Sequence, residues 1–257
     1  MSDKAQNTVD AIATRQKTST SDIRNLLIRS TDELQKALPK GALAESFVRV
    51  LLTTVNGNRT LQNCDPMSIL RAAFEAAALG LPIDGVLGHA YLVPFKGKAQ
   101  LLIGYKGFCE LAYRSGVKRI AAEVVYENDE FTYQEGTEPH LTHRKPMVGD
   151  RGKIIGTFAV AHMDSGPGMF RVLRMDEVEA RRARSASAKS GRSSPWDTDF
   201  EAMVRKTAIR ALAPTLPQSP EMKRAAAADD LRDLGIQPTA AFGTDPVIDV
   251  EAIVKED

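Results

Sequence analysis

Long apolar runs are missing from this 257-residue chain. No window approaches the ~18 consecutive apolar residues of a membrane-crossing helix, so no membrane partner is expected. Cysteine is nearly absent too. Cys64 and Cys109 are the only two, too few for a disulfide framework, which makes a reducing cytosol the expected compartment. The opening residues, Met1-Ser2-Asp3-Lys4-Ala5-Gln6-Asn7, are polar and carry no apolar signal core. The chain has no Walker-type phosphate loop, which argues against an ordinary ATP-driven motor. It has no G-x-S-x-G nucleophile elbow either. Strong net charge is also lacking, at +1 overall.

Hydrophobic residues make up 43% of the chain and charged residues 26%. That balance suits a folded globular protein and argues against bulk disorder. The near-neutral total conceals a polarity. Between Arg181 and Arg192 stand Arg181, Arg182, Arg184, Lys189 and Arg192 with no acid. From Asp229 to Asp257 eight acids face only Arg232 and Lys255. A basic middle and an acidic end fit an anionic ligand at the centre, or two solvated faces with no ligand.

The periodicities predict the following order. Residues 1–20 form a polar arm. Ser21-Asp22 caps a helix running to Leu38, and a second helix covers Leu43 to Val55 with Phe47, Leu51 and Val55 on one face. Asp65-Pro66 caps a third helix, which Gly80 closes. His89–Pro94 and Ala99–Ile103 read as strands joined at Lys96-Gly97-Lys98. A helix from Lys106 to Ser115 follows. Strands are expected at Lys118–Tyr126, Phe131–Gln134, Lys153–Ala161 and Met169–Leu173, then a helix at Met175–Arg184 and a loop at 185–195. Asp197 or Thr198 caps a helix to Ala213, and Glu221–Leu234 forms a last one. Helices, hairpin, helix, meander and helices make an α+β arrangement. One domain is expected over 21–235, with an acidic tail at 236–257.

Catalytic readings find little support. His140 and His143 lie near Glu138 in a stretch read as a polar loop, without the further ligands of a metal centre. Glu127, Asp129 and Glu130 follow a strand. They suggest either a metal-dependent nuclease or a solvated turn, and no spaced carboxylate and lysine set accompanies them. No cofactor or catalytic residue is expected.

The basic and aromatic residues form three candidate sets. The first is Lys96, Lys98 and Lys106 with Tyr105, on the hairpin and the following helix entry. Lysines and helix-start amides attract phosphate, and a ring can stack on a base. The alternative places the lysines in a solubilising turn. Phe108, in helical spacing with Leu111 and Ala112, is assigned to the core, while Tyr105 stays open. The second set lies on the helix after Asp199. Lys206 and Arg210 are four apart on one face, and neither has an acid four residues before it. Arg205 has Glu201 at that spacing and can pair with it. The third is the loop Arg184–Trp196 with Lys189 and Arg192. It suits either a strand-covering flap or a plain linker, and Trp196 either stacks on a base or seals the next helix.

Leu79-Gly80-Leu81-Pro82, the run His89–Gly107 and Leu111-Ala112-Tyr113-Arg114-Ser115-Gly116 closely resemble the RecT family of phage-type annealing proteins. Trp196 and the Phe200–Ala213 helix, with Met203, Lys206, Thr207 and Arg210, are similar to that family as well. The resemblance covers roughly residues 40–215. It implies binding of single-stranded DNA and nascent duplex, and pairing of complementary strands without ATP during homologous recombination. It implies assembly as rings or helical filaments in a bacterial host cell. Implied partners are a 5′-to-3′ exonuclease and, through the C-terminal region, host single-strand-binding protein. The implied fold sets a helical lobe on a small sheet core, with DNA in a basic groove between them. The implied DNA contacts are Lys96, Lys98, Tyr105, Lys106, Lys206 and Arg210, then Lys189, Arg192, Trp196 and Arg205. A non-enzymatic scaffold whose basic patch only neutralises nucleic acid is the remaining alternative.

Overall fold

The computed structural model describes residues 21–163, 168–184, 194–217, 219–221, 223–225 and 227. The expected arm at 1–20, the acidic tail at 236–257 and most of the expected helix 221–234 lie outside these residues. The described chain is α+β, with helices and small antiparallel sheets. It divides into two compact units that meet in sequence at Gly107 and Phe108.

In the first unit the expected helix 21–38 is two helices, α1 (21–29) and α2 (Thr31–Ala37), separated at Ser30. Thr31 Oγ1 donates to the Ile28 carbonyl at 2.8 Å, a local bond that competes with the regular ladder. Leu38 is extended, as the residue before a proline prefers, and ends α2. Helix α3 (Ala44–Asn56) buries Ala44, Val48, Leu51 and Val55. A single turn, α4 (Arg59–Gln62), follows; Asn58 Oδ1 caps it by accepting from the amides of Thr60 and Leu61.

Helix α5 (Pro66–Leu79) begins where Asp65 accepts from the Met67 and Ser68 amides. It buries Ile69, Leu70, Ala73, Phe74 and Ala77. Strands β1 (Ala90–Phe95) and β2 (Lys98–Ile103) pair antiparallel, with Tyr91 opposite Leu102, Val93 opposite Gln100 and Phe95 opposite Lys98. The inner face of this hairpin, with Ala90, Leu92, Ala99, Leu101 and Ile103, is buried, and both strands pack on α5.

The chain enters the second unit within helix α6 (Tyr105–Arg114). A three-stranded sheet is formed by β3 (Val117–Tyr126), β6 (Ile154–Met163) and β7 (Met169–Arg174) in the order β3-β6-β7. A second hairpin, β4 (Glu130–Gln134) and β5 (His140–Arg144), stands between β3 and β6 in sequence. Helices α7 (Met175–Arg184), α8 (Pro195–Thr198) and α9 (Phe200–Leu212) follow. Val124, Leu173, Val178, Trp196 and Val204 form a common core, so one face of the sheet is closed by α7, α8 and α9. On β6, Phe158 is stacked by Phe131 at 5.6 Å and met edge-on by His143 at 5.2 Å, which seats the second hairpin against the sheet.

Two local readings are corrected. His140 and His143 lie on strand β5, not in a loop. The cap expected at Asp197 or Thr198 is Asp199, and the helix begins at Phe200. Asp197 instead belongs to α8, where its Oδ2 accepts from the Ser194 amide at 2.9 Å and the Ser194 hydroxyl at 3.0 Å.

Candidate nucleic-acid interface

The hairpin β1–β2 turns through two residues in the left-handed region, Lys96 at φ 48° and Gly97 at φ 78°. Such a turn matches the twist of the flanking strands, but for lysine the conformation is uncommon. The turn is held from behind. The Asp65 amide donates to the Gly97 carbonyl at 2.9 Å, and the Ala99 amide donates to the Ser68 hydroxyl at 2.8 Å. Lys96 and Lys98 are exposed at this anchored tip. Lys96 Nζ lies 5.3 Å from the centroid of the Phe95 ring.

Lys106 and Tyr105 sit at the other end of the hairpin, in the first turn of α6. Lys106 is exposed and Tyr105 half-buried. The helix start is pressed against the chain before β1. A Cβ on Gly104 would stand 2.2 Å from the Gly88 carbonyl oxygen, and one on Gly107 2.3 Å from that of His89. Only glycine permits this approach. Beside Gly88 lie the Tyr91 hydroxyl and the Lys106 stem. Phe108 is 3% exposed and belongs to the core, as expected. Between the two ends runs one strand length, about 17–20 Å at 3.3 Å per residue.

In the second unit, α9 buries Val204, Thr207, Ala208 and Leu212. Lys206 and Arg210 are half-buried on that helix, and each already has an intramolecular partner. Arg205 pairs with Glu201 at 3.3 Å, the pairing that their spacing allows. Trp196 is 4% exposed, packed with Val124, Leu173, Val178 and Val204. The choice between a base platform and a seal therefore falls to the seal. Arg182 lies 5.8 Å from the Trp196 ring centroid and 3.3 Å from Asp197, tying α7 to α8. Lys189 and Arg192 lie outside the described residues.

The acids after β3 have structural work. The Asp129 side chain is fully buried and accepts from the Tyr126 amide, from Arg151 Nε at 2.9 Å and from Arg151 Nη2 at 2.6 Å. His143 Nε2 stands 2.8 Å from the same carboxylate. The Arg151 guanidinium holds the Asp129 carboxyl well below the usual carboxylate range. Arg151 also lies 3.9 Å from the Tyr126 ring centroid, and the Tyr126 hydroxyl donates to Glu201. That bond pushes the Tyr126 phenol upward. A polar chain thus joins β5, the β5–β6 connection, β3 and α9. Glu127 accepts from the Lys153 amide, and Glu130 is 3.8 Å from Arg144. His140 and His143 are three apart on a strand and point to opposite faces, so they cannot converge on one ion. Among the described residues no group of three or more His, Cys, Asp or Glu side chains is placed to hold a metal. The sequence missed Arg151. Nothing in its neighbourhood marks it, because its partners lie more than twenty residues earlier or arrive from another strand.

The RecT family model matches residues 45–241 of the chain. This chain belongs to the RecT family. Protein RecT of Escherichia coli strain K12 is 38% identical over 216 residues, covering 80% of this chain and 79% of that protein. YqaK of Bacillus subtilis strain 168, named as uncharacterized, is 31% identical over 219 residues, covering 84% of this chain and 75% of that one. Membership makes this a recombination-associated single-strand annealing protein that binds DNA. The matched span of this RecT-family chain holds every expected DNA contact from Lys96 to Arg210. No described helix is long and apolar enough to cross a membrane.

Proposed function

We propose that the chain pairs complementary single strands without ATP, acting as an oligomer along DNA. The observation that carries this reading is the anchored hairpin of a RecT-family chain. It presents Lys96 and Lys98 at one end and Lys106 at the other, with no acid between Ala90 and Ile103. Cations at both ends grip phosphates without reading sequence. Complementarity is then tested by the DNA itself, since only matched strands gain pairing and stacking. Many weak sites along an assembly supply avidity. Lys206 and Arg210 on α9 are the proposed second set of phosphate contacts, with Tyr105 beside the first set. Arg205, paired with Glu201 at 3.3 Å, is a further candidate on the same helix. Lys189 and Arg192 extend the second set in sequence. Homologous recombination supplies the proposed partners: a 5′-to-3′ exonuclease that makes the single strands, and the host's single-strand-binding protein that covers them.

The test is strand annealing with complementary and non-complementary oligonucleotides in the absence of ATP. Complementary strands are expected to pair faster with the protein than without it. Lys96→Ala with Lys98→Ala should slow that step and reduce the salt dependence of single-strand binding by roughly 0.7 for each phosphate no longer neutralised. Condensation of both strand sets alike would favour a neutralising scaffold instead. Shortened strands in the presence of Mg²⁺ or Mn²⁺ would favour a nuclease.

A further inference from the structure

The outward face of the β1–β2 hairpin is apolar. Tyr91, Val93 and Phe95 occupy successive outward positions on β1 and are 38%, 38% and 43% exposed. Leu102, Gln100 and Lys98 stand opposite them on β2. Strand geometry dictates the spacing: alternate side chains on one face are about 6.6–6.8 Å apart. That is twice the ~3.4 Å repeat along a stacked nucleic-acid strand. The row therefore offers one side chain for every second base along a strand.

We propose that this row contacts the unpaired bases of single-stranded DNA while Lys96, Lys98 and Lys106 hold the flanking phosphates. The proposal rests on the single-strand binding argued above and assigns the bases, which that reading left free, a platform of their own. Three features support it. The hairpin carries no acid, so a polyanion meets no repulsion there. Its inner face and tip are fixed to α5 by buried apolar packing and by the Gly97 and Ala99 hydrogen bonds, so the outer row is presented rigidly. The Lys96 ammonium lies next to the Phe95 ring, placing a phosphate contact beside a stacking surface. A second copy fits less well. A two-fold contact through the same face would bring the lysines of one hairpin towards those of the other. The row also discriminates between strand states: paired bases are already stacked on one another and offer it only their edges.

The experiment compares the full-length chain with Tyr91→Ala/Phe95→Ala on two ligands, an oligothymidine strand and an abasic strand of equal length. The expected result is a loss of about tenfold or more on oligothymidine, with unchanged affinity for the abasic strand and an unchanged salt slope. Phe95→Trp should retain oligothymidine affinity, and equal thermal midpoints for all variants establish that folding is intact. Equal weakening on both strands, or none on either, overturns the platform. So does a fall in the sedimenting species without DNA while base preference is unchanged, which would assign the row to a contact between copies. Wild-type protein that binds neither strand would overturn single-strand binding itself, whereas intact wild-type binding with indifferent variants overturns only the platform.

Discussion

The amide of Asp65 and the carbonyl of Gly97 are joined by a 2.9 Å hydrogen bond across thirty-two positions of sequence. One residue caps a helix and the other closes a hairpin turn. Their bond fixes the lysine-bearing tip to the longest described helix of its unit, so the cations stand on a rigid support.

Lys96 is the strained member of that tip. A lysine in the left-handed region costs about 1–2 kcal/mol, part of which glycine returns as conformational entropy. Lys96→Gly is expected to stabilise the chain by about 0.5–1 kcal/mol in urea unfolding. The same variant should bind single-stranded DNA more weakly, with its salt slope reduced by roughly 0.7. A variant that gains stability and keeps its full affinity would show that the Lys96 ammonium has no part in binding.

Gly107 tests the close approach of α6 to the segment before β1. Its missing Cβ would sit 2.3 Å from the backbone oxygen of His89, which no rotamer can relieve. Gly107→Ala is expected to destabilise by about 1–3 kcal/mol or more through backbone displacement. Circular dichroism during chemical unfolding measures it. A neutral effect would mean that the helix start moves freely.

Asp129 predicts an acid-sensitive step. Its folded carboxyl lies below the unfolded value of ~3.9, so its contribution is fully present above that value. It declines as the pH falls through the unfolded value towards the folded one. Asp129→Asn should lower stability at neutral pH by about 2–3 kcal/mol, less than for a fully buried pair because Arg151 keeps 29% exposure. The deficit should shrink below about pH 4. A constant difference between variant and wild type from neutral to acid pH would refute the assignment.

Cys109 should be chemically quiet. Burial pushes its thiol up to about 11, so at pH 8 only about one thiol in a thousand is the reactive thiolate. Alkylation of the native chain by iodoacetamide, followed by mass spectrometry, should leave Cys109 unmodified until denaturant is added. Rapid native labelling would contradict its burial.

Local chemistry determined much of this protein by itself. The Asp65-Pro66 cap, the Lys96-Gly97 turn, the alternation in β1 and β2 and the helical stripe of α9 are encoded within a few residues, so each is legible without any tertiary contact. The longest part of the RecT-family signature is legible for the same reason, since His89–Gly107 is one continuous run. Strand β5 is not, because Leu141 is its one aliphatic residue and its remaining packing comes from His143 against Phe131 and Phe158. The break at Ser30 falls at a single small polar residue within the otherwise apolar period of Ile23, Leu27 and Leu34. Only tertiary structure could settle Trp196, whose neighbours Val124, Leu173 and Val204 come from three different elements. It alone joined Asp129 to Arg151 and His143, and it alone turned Tyr91, Val93 and Phe95 outward. Alternation establishes that the strand has two faces. Which face meets water depends on where α5 packs, and that packing is made between segments distant in sequence.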